Sequence, residues 1–174
     1  YNEYIQIYGD DFIKSRVTFS IVRNPYERCI SEYFYNTNYG YKANKSFDSF
    51  LDKTKHIVNH IIKKKSCTYY EDHYLPQYKY ICNDNKHIMV DRLFKIENIN
   101  DIKTFLSEYT DTKLMHNNKA NIKKFTIDDL SYYQLQLIEK IYIDDFKCFG
   151  YDMISHKYIN KKCIPKINFN NNKP

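Results

Sequence analysis

"FSIVRNPYERCISEYF", residues 19–34, runs a strand straight into a helix and puts an arginine at the joint. Residues 17–22, VTFSIV, are apolar and β-rich, the composition of a buried strand. From Pro25 the period changes. Tyr26, Cys29, Ile30, Tyr33 and Phe34 fall at i, i+3, i+4, i+7 and i+8, one apolar stripe that predicts a helix over 25–36. Asn24 suits the N-cap, Pro25 the first helical position and Glu27 the third, which together predict a capping box. Arg23 is left as the last strand residue beside the helix start, where free N–H groups and the helix dipole favour an anion. Asn24, Arg28 and Ser31 stand at i, i+4 and i+7 and are expected on one face below Arg23, so that two guanidiniums and a hydroxyl converge on a phosphate. The same residues admit a plainer reading: Arg28 pairs with Glu27 or Glu32 on a solvated face, and Arg23 pairs with a loop carboxylate.

Outward from this stretch, strands and helices alternate. Residues 46–64 predict one or two helices capped by Ser46; residues 88–96, IMVDRLFKI, predict a second strand; residues 98–109 predict a helix that packs Ile99, Ile102, Phe105 and Leu106. Glu97 and Asn98 are expected to close the turn into it, with Asn98 as cap. Thr126 and Asp129 form the signature of a capping box for one long helix over 126–150, stopped by Gly150. Residues 36–46, 65–87 and 110–125 read as loops, and 155–174 as a loose polar tail. The pattern predicts an α/β fold with a small parallel sheet flanked by helices.

Bulk composition sets the frame. A chain of 174 residues with 43% hydrophobic residues is expected to form one domain with a real core. Its net charge of +6 favours anionic partners, or is simply a solvated surface. Asn, Lys, Ile and Tyr dominate, a bias that reads first as genome composition. The five cysteines include no C-x-x-C pair, so no metal site is expected. Cys67 and Cys82 bracket one loop and could pair in an oxidising compartment. Cys29, on the apolar stripe, reads as core. No apolar run is long enough to span a membrane.

The opening stretch closely resembles the 3′-phosphate-binding motif of sulfotransferases that use 3′-phosphoadenosine 5′-phosphosulfate (PAPS), in which an Arg follows a strand and a Ser lies eight residues on. That resemblance assigns the 3′-phosphate to Arg23 and Ser31, with Arg28 and Asn24 as further cofactor-site candidates from the helical spacing. Three more stretches match in order. DHYLPQYKYIC (72–82) is similar to the His-x-x-Pro-Gln…Cys segment of the carbohydrate branch, which includes chondroitin and HNK-1 types. VDRLFKIENINDIKTFL (90–106) resembles its strand, Glu-Asn turn and helix, and LIEKIYIDDFKCFGYD (137–152) its C-terminal ending. The resemblance covers roughly residues 16 to 153.

It implies a P-loop-like α/β sandwich that holds PAPS at the strand ends. It also implies in-line transfer of a sulfuryl group to a carbohydrate hydroxyl, with a general base on the acceptor and no metal. One motif of the family is missing. The Gly-containing phosphate loop with its Lys should precede the Arg-Ser motif, and YNEYIQIYGDDFIKSRVTF contains no such loop. The expectation is therefore a fold truncated at its N-terminal part: residues 1–154 as the C-terminal portion of a sulfotransferase domain and 155–174 as tail. The phosphosulfate loop, the catalytic base and any membrane anchor would lie upstream. A Golgi setting follows from the resemblance alone.

His73 is a candidate base or acceptor-site residue, or a loop histidine held by Asp72. Tyr69, Tyr70 and Tyr74 could stack on sugar rings, and Lys63, Lys64 and Lys65 could steer an acidic ligand or simply end a helix. The second function class is a non-catalytic anion-binding module for nucleic acid or acidic glycan. With no nucleic-acid motif and its basic residues dispersed, the chain is not expected to bind nucleic acid.

Overall fold

The computed structural model describes residues 2–38, 46–64, 72–111 and 125–158. Two short helices, α1 (Asn2–Tyr8) and α2 (Asp10–Lys14), lead into β1 (Phe19–Val22), then α3 (Pro25–Asn38) and α4 (Phe47–Lys64). A 3₁₀ turn (Asp72–Tyr74) and α5 (Tyr78–Ile81) precede β2 (Arg92–Lys95) and α6 (Ile99–Ser107). The chain continues through a second 3₁₀ turn (Ile127–Asp129), α7 (Tyr132–Ile141), α8 (Ile143–Phe149) and a last turn (Ser155–Tyr158).

β1 and β2 pair in parallel, from Phe19 opposite Arg92 to Val22 opposite Lys95. A latch just ahead of the sheet sets that register. The Asp91 carboxylate accepts from the Thr18 N–H (2.8 Å) and hydroxyl (2.7 Å), and the Asp91 N–H donates to Thr18 Oγ1 (3.1 Å). These bonds hold the Asp91 carboxyl below its usual range, the backbone N–H of Thr18 being the largest cause.

The predicted stripe of α3 is buried as expected: Tyr26, Cys29, Ile30, Tyr33 and Phe34 pack with Phe47, Phe50 and Leu51 of α4, Leu135 and Ile138 of α7 and Phe146 of α8. A smaller cluster, Val22, Ile81 and Phe149, lies where β1, α5 and α8 meet. α4 is one helix, and Ser46 Oγ accepts from the Ser49 N–H at 3.2 Å as its cap.

Several expectations are corrected. The long helix over 126–150 is three elements. Thr126 and Asp129 do form a capping box, but it closes only a 3₁₀ turn; Leu130 is extended (ψ 136°), and Ser131 with Gln134 opens α7 with a second box. Tyr142 (φ −114°) then separates α7 from α8, and Gly150 ends α8 in the left-handed conformation (φ 61°) that glycine adopts without strain. The α3 box predicted between Asn24 and Glu27 is replaced by a partner from far along the chain. Asn24 Oδ1 accepts from the Tyr26 N–H (3.0 Å), but the Asn24 N–H donates to Glu97 Oε1 (2.7 Å), because the parallel pairing brings the end of β2 beside the end of β1. Asn98 holds the N-cap position of α6 without a side-chain hydrogen bond. Within the expected loop 65–87, residues 72–82 fold into a 3₁₀ turn and α5, and an antiparallel bridge joins Cys82 to Ile88. Residues 155–158, expected in the tail, form a 3₁₀ turn: the N–H and hydroxyl of Ser155 both donate to Glu139 (2.7 Å each), and Tyr26 donates to the same carboxylate, while 159–174 lie outside the described residues. Among the described residues, no helix is long and apolar enough to cross a membrane.

Candidate functional site

Arg23 sits in the turn between β1 and α3, and a glutamine 54 residues away holds its main chain. The Arg23 N–H donates to Gln77 Oε1 (2.9 Å), and Gln77 Nε2 donates back to the Arg23 carbonyl (2.9 Å). Gln77 is fixed in turn by Asp145 of α8, whose two carboxylate oxygens accept from the N–H groups of Gln77 (2.9 Å) and Tyr78 (2.8 Å) at the start of α5. Asp145 is fully buried, at 0% exposure. Burial pushes its carboxyl above the usual range and outweighs the opposing pull of the two backbone donors and Arg28.

Arg28 belongs to the same joint. Its Nη1 lies 3.9 Å from Asp145, its Nη2 donates to the carbonyls of His73 (2.9 Å) and Leu75 (2.8 Å), and its guanidinium lies over the Tyr142 ring at 5.6 Å. Nη1 is buried and has no hydrogen-bond partner among the described residues. The common face expected for Arg28 and Ser31 is thus divided: Asp145 and the 73–75 carbonyls draw Arg28 inward, while Ser31 stays exposed. Asn24 is occupied as a cap. Cys29 is a core thiol, which burial pushes up to about 12.

The outward-facing part of the turn is Arg23 itself. Its side chain is 40% exposed, and its ion-pair partner among the described residues is Glu27, at 3.6 Å. Beside it, Glu97 accepts from the Tyr151 hydroxyl at 3.0 Å. Burial first, and then Glu97, push the Tyr151 phenol well up. Lys95 donates to the Gly150 carbonyl (2.9 Å) and lies 4.2 Å from the centre of the Tyr151 ring. The segments 19–34, 72–82, 90–106 and 137–152, singled out separately in the sequence, therefore meet at one place.

His73 is not held by Asp72. Its Nδ1 faces Glu32 at 3.8 Å and its ring stacks on Tyr35 at 5.8 Å. Tyr74 is buried in the core and is not free to stack on a ligand. Lys63 is exposed near the end of α4, while Lys65, Cys67, Tyr69 and Tyr70 lie outside the described residues. Sequence reasoning missed the parts played by Gln77 and Asp145. Asp145 did leave a signal, since Tyr142, Asp145, Phe146 and Phe149 form an i, i+3, i+4, i+7 stripe with one carboxylate inside it. Among the described residues, no group of three or more His, Cys, Asp or Glu side chains is placed to hold a metal ion.

A model described as the sulfotransferase family matches residues 3–152, a span that takes in all four segments and also α1 and α2, to which the motifs gave no assignment. No curated protein and no solved structure matches. With most of its length in that match, the chain belongs to the sulfotransferase family.

Proposed function

We propose that this sulfotransferase takes PAPS as its donor and a carbohydrate hydroxyl as its acceptor, with Arg23 and Ser31 holding the donor's 3′-phosphate. The observation that carries the reading is that the two halves of Arg23 have different partners. Gln77 fixes its main chain, while its guanidinium reaches solvent with Glu27, at 3.6 Å, as its ion-pair partner among the described residues. An exposed pair of this kind is worth about 0.5 kcal/mol, whereas a bidentate guanidinium–phosphate contact is stronger and directional, so a phosphate displaces Glu27 readily. The N-terminus of the 14-residue α3 adds its dipole beside Arg23. Ser31 offers a hydroxyl about 10 Å further along the helix, on its exposed side. Asn24 and Arg28 serve the scaffold that aims Arg23, and His73 has no catalytic part in the proposal. The carbohydrate acceptor rests on the likeness of residues 72–82, 90–106 and 137–152 to the carbohydrate branch.

The test is calorimetric titration with 3′-phosphoadenosine 5′-phosphate and with adenosine 5′-phosphate, which lacks the 3′ group. The first should bind saturably and more tightly than the second. Arg23→Ala should weaken it by about 10- to 100-fold, the size of a charge-assisted contact, without lowering the melting temperature. Equal binding of the two nucleotides, or unchanged affinity in Arg23→Ala, would overturn the assignment. Binding of single-stranded nucleic acid or acidic glycan with no response to either nucleotide would favour a non-catalytic anion-binding module.

A further inference from the structure

Cys82 and Cys148 lie 66 positions apart in sequence and meet in the fold. Cys82 follows α5 and is bridged to Ile88 across a tight hairpin; Cys148 is in the last turn of α8. Both pack against the Val22, Ile81 and Phe149 cluster, both are only partly buried, and each thiol is near enough to the other to shift its titration. The hairpin is already tied to α8 twice. Lys86 donates to Asp144 at 2.6 Å, and the Cys148 thiol lies 3.9 Å from the Lys86 carbonyl. Lys86 holds a positive φ of 63° to make that turn. Four hydrogen bonds close the hairpin from within: Asn83 N–H to the His87 carbonyl (3.0 Å), Lys86 N–H to the Asn83 carbonyl (2.9 Å), His87 N–H to Asn83 Oδ1 (2.9 Å) and Met89 N–H to the Ile81 carbonyl (2.9 Å).

We infer that Cys82 and Cys148 are an oxidisable pair, which a low-molecular-weight disulfide converts to an intrachain disulfide that locks the 82–88 hairpin to α8. In the first step the Cys148 thiolate attacks one sulfur of glutathione disulfide, forming a mixed disulfide and releasing one glutathione. The Cys82 thiolate then attacks the Cys148 sulfur and releases the second glutathione. Two protein thiols lose two electrons and two protons, and one glutathione disulfide becomes two thiols. This pairing differs from the one with Cys67 that spacing suggested; Cys67 lies outside the described residues. Burial pushes the Cys82 thiol up to about 11, and Lys86 pulls against burial at Cys148. Burial keeps the Cys82 thiol protonated at neutral pH, so the pair closes slowly and behaves as a structural latch rather than a thiol-exchange catalyst. The latch lies three residues from Asp145 and five from Gln77, so it braces the joint that carries Arg23.

The experiment equilibrates the full chain in glutathione buffers of rising oxidised fraction. It then alkylates free thiols in acid and maps disulfides in a non-reducing digest by mass spectrometry. The expected product is the Cys82–Cys148 linked peptide, absent in Cys82→Ser and in Cys148→Ser. Oxidation should raise the melting temperature of the wild-type chain by about 10 °C and leave either variant unmoved. Should serine destabilise the fold, Cys148→Ala is the substitute, with its circular dichroism compared to the reduced wild type. A disulfide from Cys82 to Cys67 or Cys163, stable mixed disulfides with glutathione at both positions, or two thiols that stay alkylatable in the most oxidising buffer would each overturn the inference.

Discussion

Replacing Asp145 with alanine should unfasten the joint, and the structure says by how much. The side chain is fully buried and accepts two backbone hydrogen bonds, at 2.9 and 2.8 Å. Removing it leaves both N–H groups without a partner at about 1–3 kcal/mol each. Arg28 loses its nearby carboxylate, but at 3.9 Å and with both carbonyl contacts kept, that loss is the smaller term. Release of the carboxylate's own desolvation works the other way, as its raised pKa shows. The net expectation is about 3–4 kcal/mol, a large part of the about 5–15 kcal/mol that holds a domain together. Urea unfolding followed by circular dichroism would read this as a midpoint lowered by about 1.5–2 M at unchanged slope. Asp145→Asn keeps one acceptor and points its amide at the second N–H, so it should cost about half as much. A double-mutant cycle of Asp145→Ala with Arg28→Met should give a coupling below about 1 kcal/mol, since the two side chains share no hydrogen bond. If Asp145→Ala costs less than about 1 kcal/mol, the backbone bonds do not hold the joint and the reasoning fails.

Two further outcomes follow from the same geometry. Gln77→Ala removes two neutral hydrogen bonds to the Arg23 main chain and should cost about 2 kcal/mol, with affinity for 3′-phosphoadenosine 5′-phosphate reduced several-fold through the loosened Arg23 turn. Wild-type affinity in that variant would mean the turn holds itself. The pH dependence of stability has opposite signs at two carboxylates. At Asp145 the folded pKa is raised, so the folded chain binds this proton more tightly; its contribution is full below the ordinary value of 3.8 and falls as pH rises through the raised value. At Asp91 the folded pKa is lowered, so its contribution is present above 3.8 and is lost as pH falls through the lowered value. Denaturant midpoints from pH 3 to 7 should therefore rise more steeply with pH in Asp145→Asn than in wild type, and parallel curves would refute the assignment.

Elements defined by local periodicity were legible in the sequence. The α3 stripe, α4 with Ser46, each strand by itself and the stop at Gly150 all rest on residues within a few positions of each other, and the parallel pairing followed from strands alternating with helices. What local reading mostly missed was side-chain contacts whose partner lies far along the chain. The box offered by Asn24 and Glu27 is chemically sound, yet the Asn24 N–H goes to Glu97, 73 residues on, because strand pairing decides which carboxylate is closer. Arg28 and Ser31 share a helical phase, but helical phase does not say that Asp145 sits beneath one of them. The split of 126–150 was missed because one capping box hid a second, at Ser131 and Gln134, five residues downstream. At the candidate site, the sequence placed Arg23 at the joint between β1 and α3 but not the glutamine that fixes the turn.

Gln77 grips residue 23 only through atoms that every amino acid except proline supplies, an amide N–H and a carbonyl oxygen. Placement and chemistry at that position are thereby separable. The address is written in the main chain, and the charge is written in a side chain that bears no load. Lysine, histidine or glutamine could stand at position 23 in the same spot and on the same helix end, and the change would be felt by a ligand before it was felt by the fold. Such a position is open to evolutionary exploration, because a new recognition chemistry can be tried there without first rebuilding the structure that presents it.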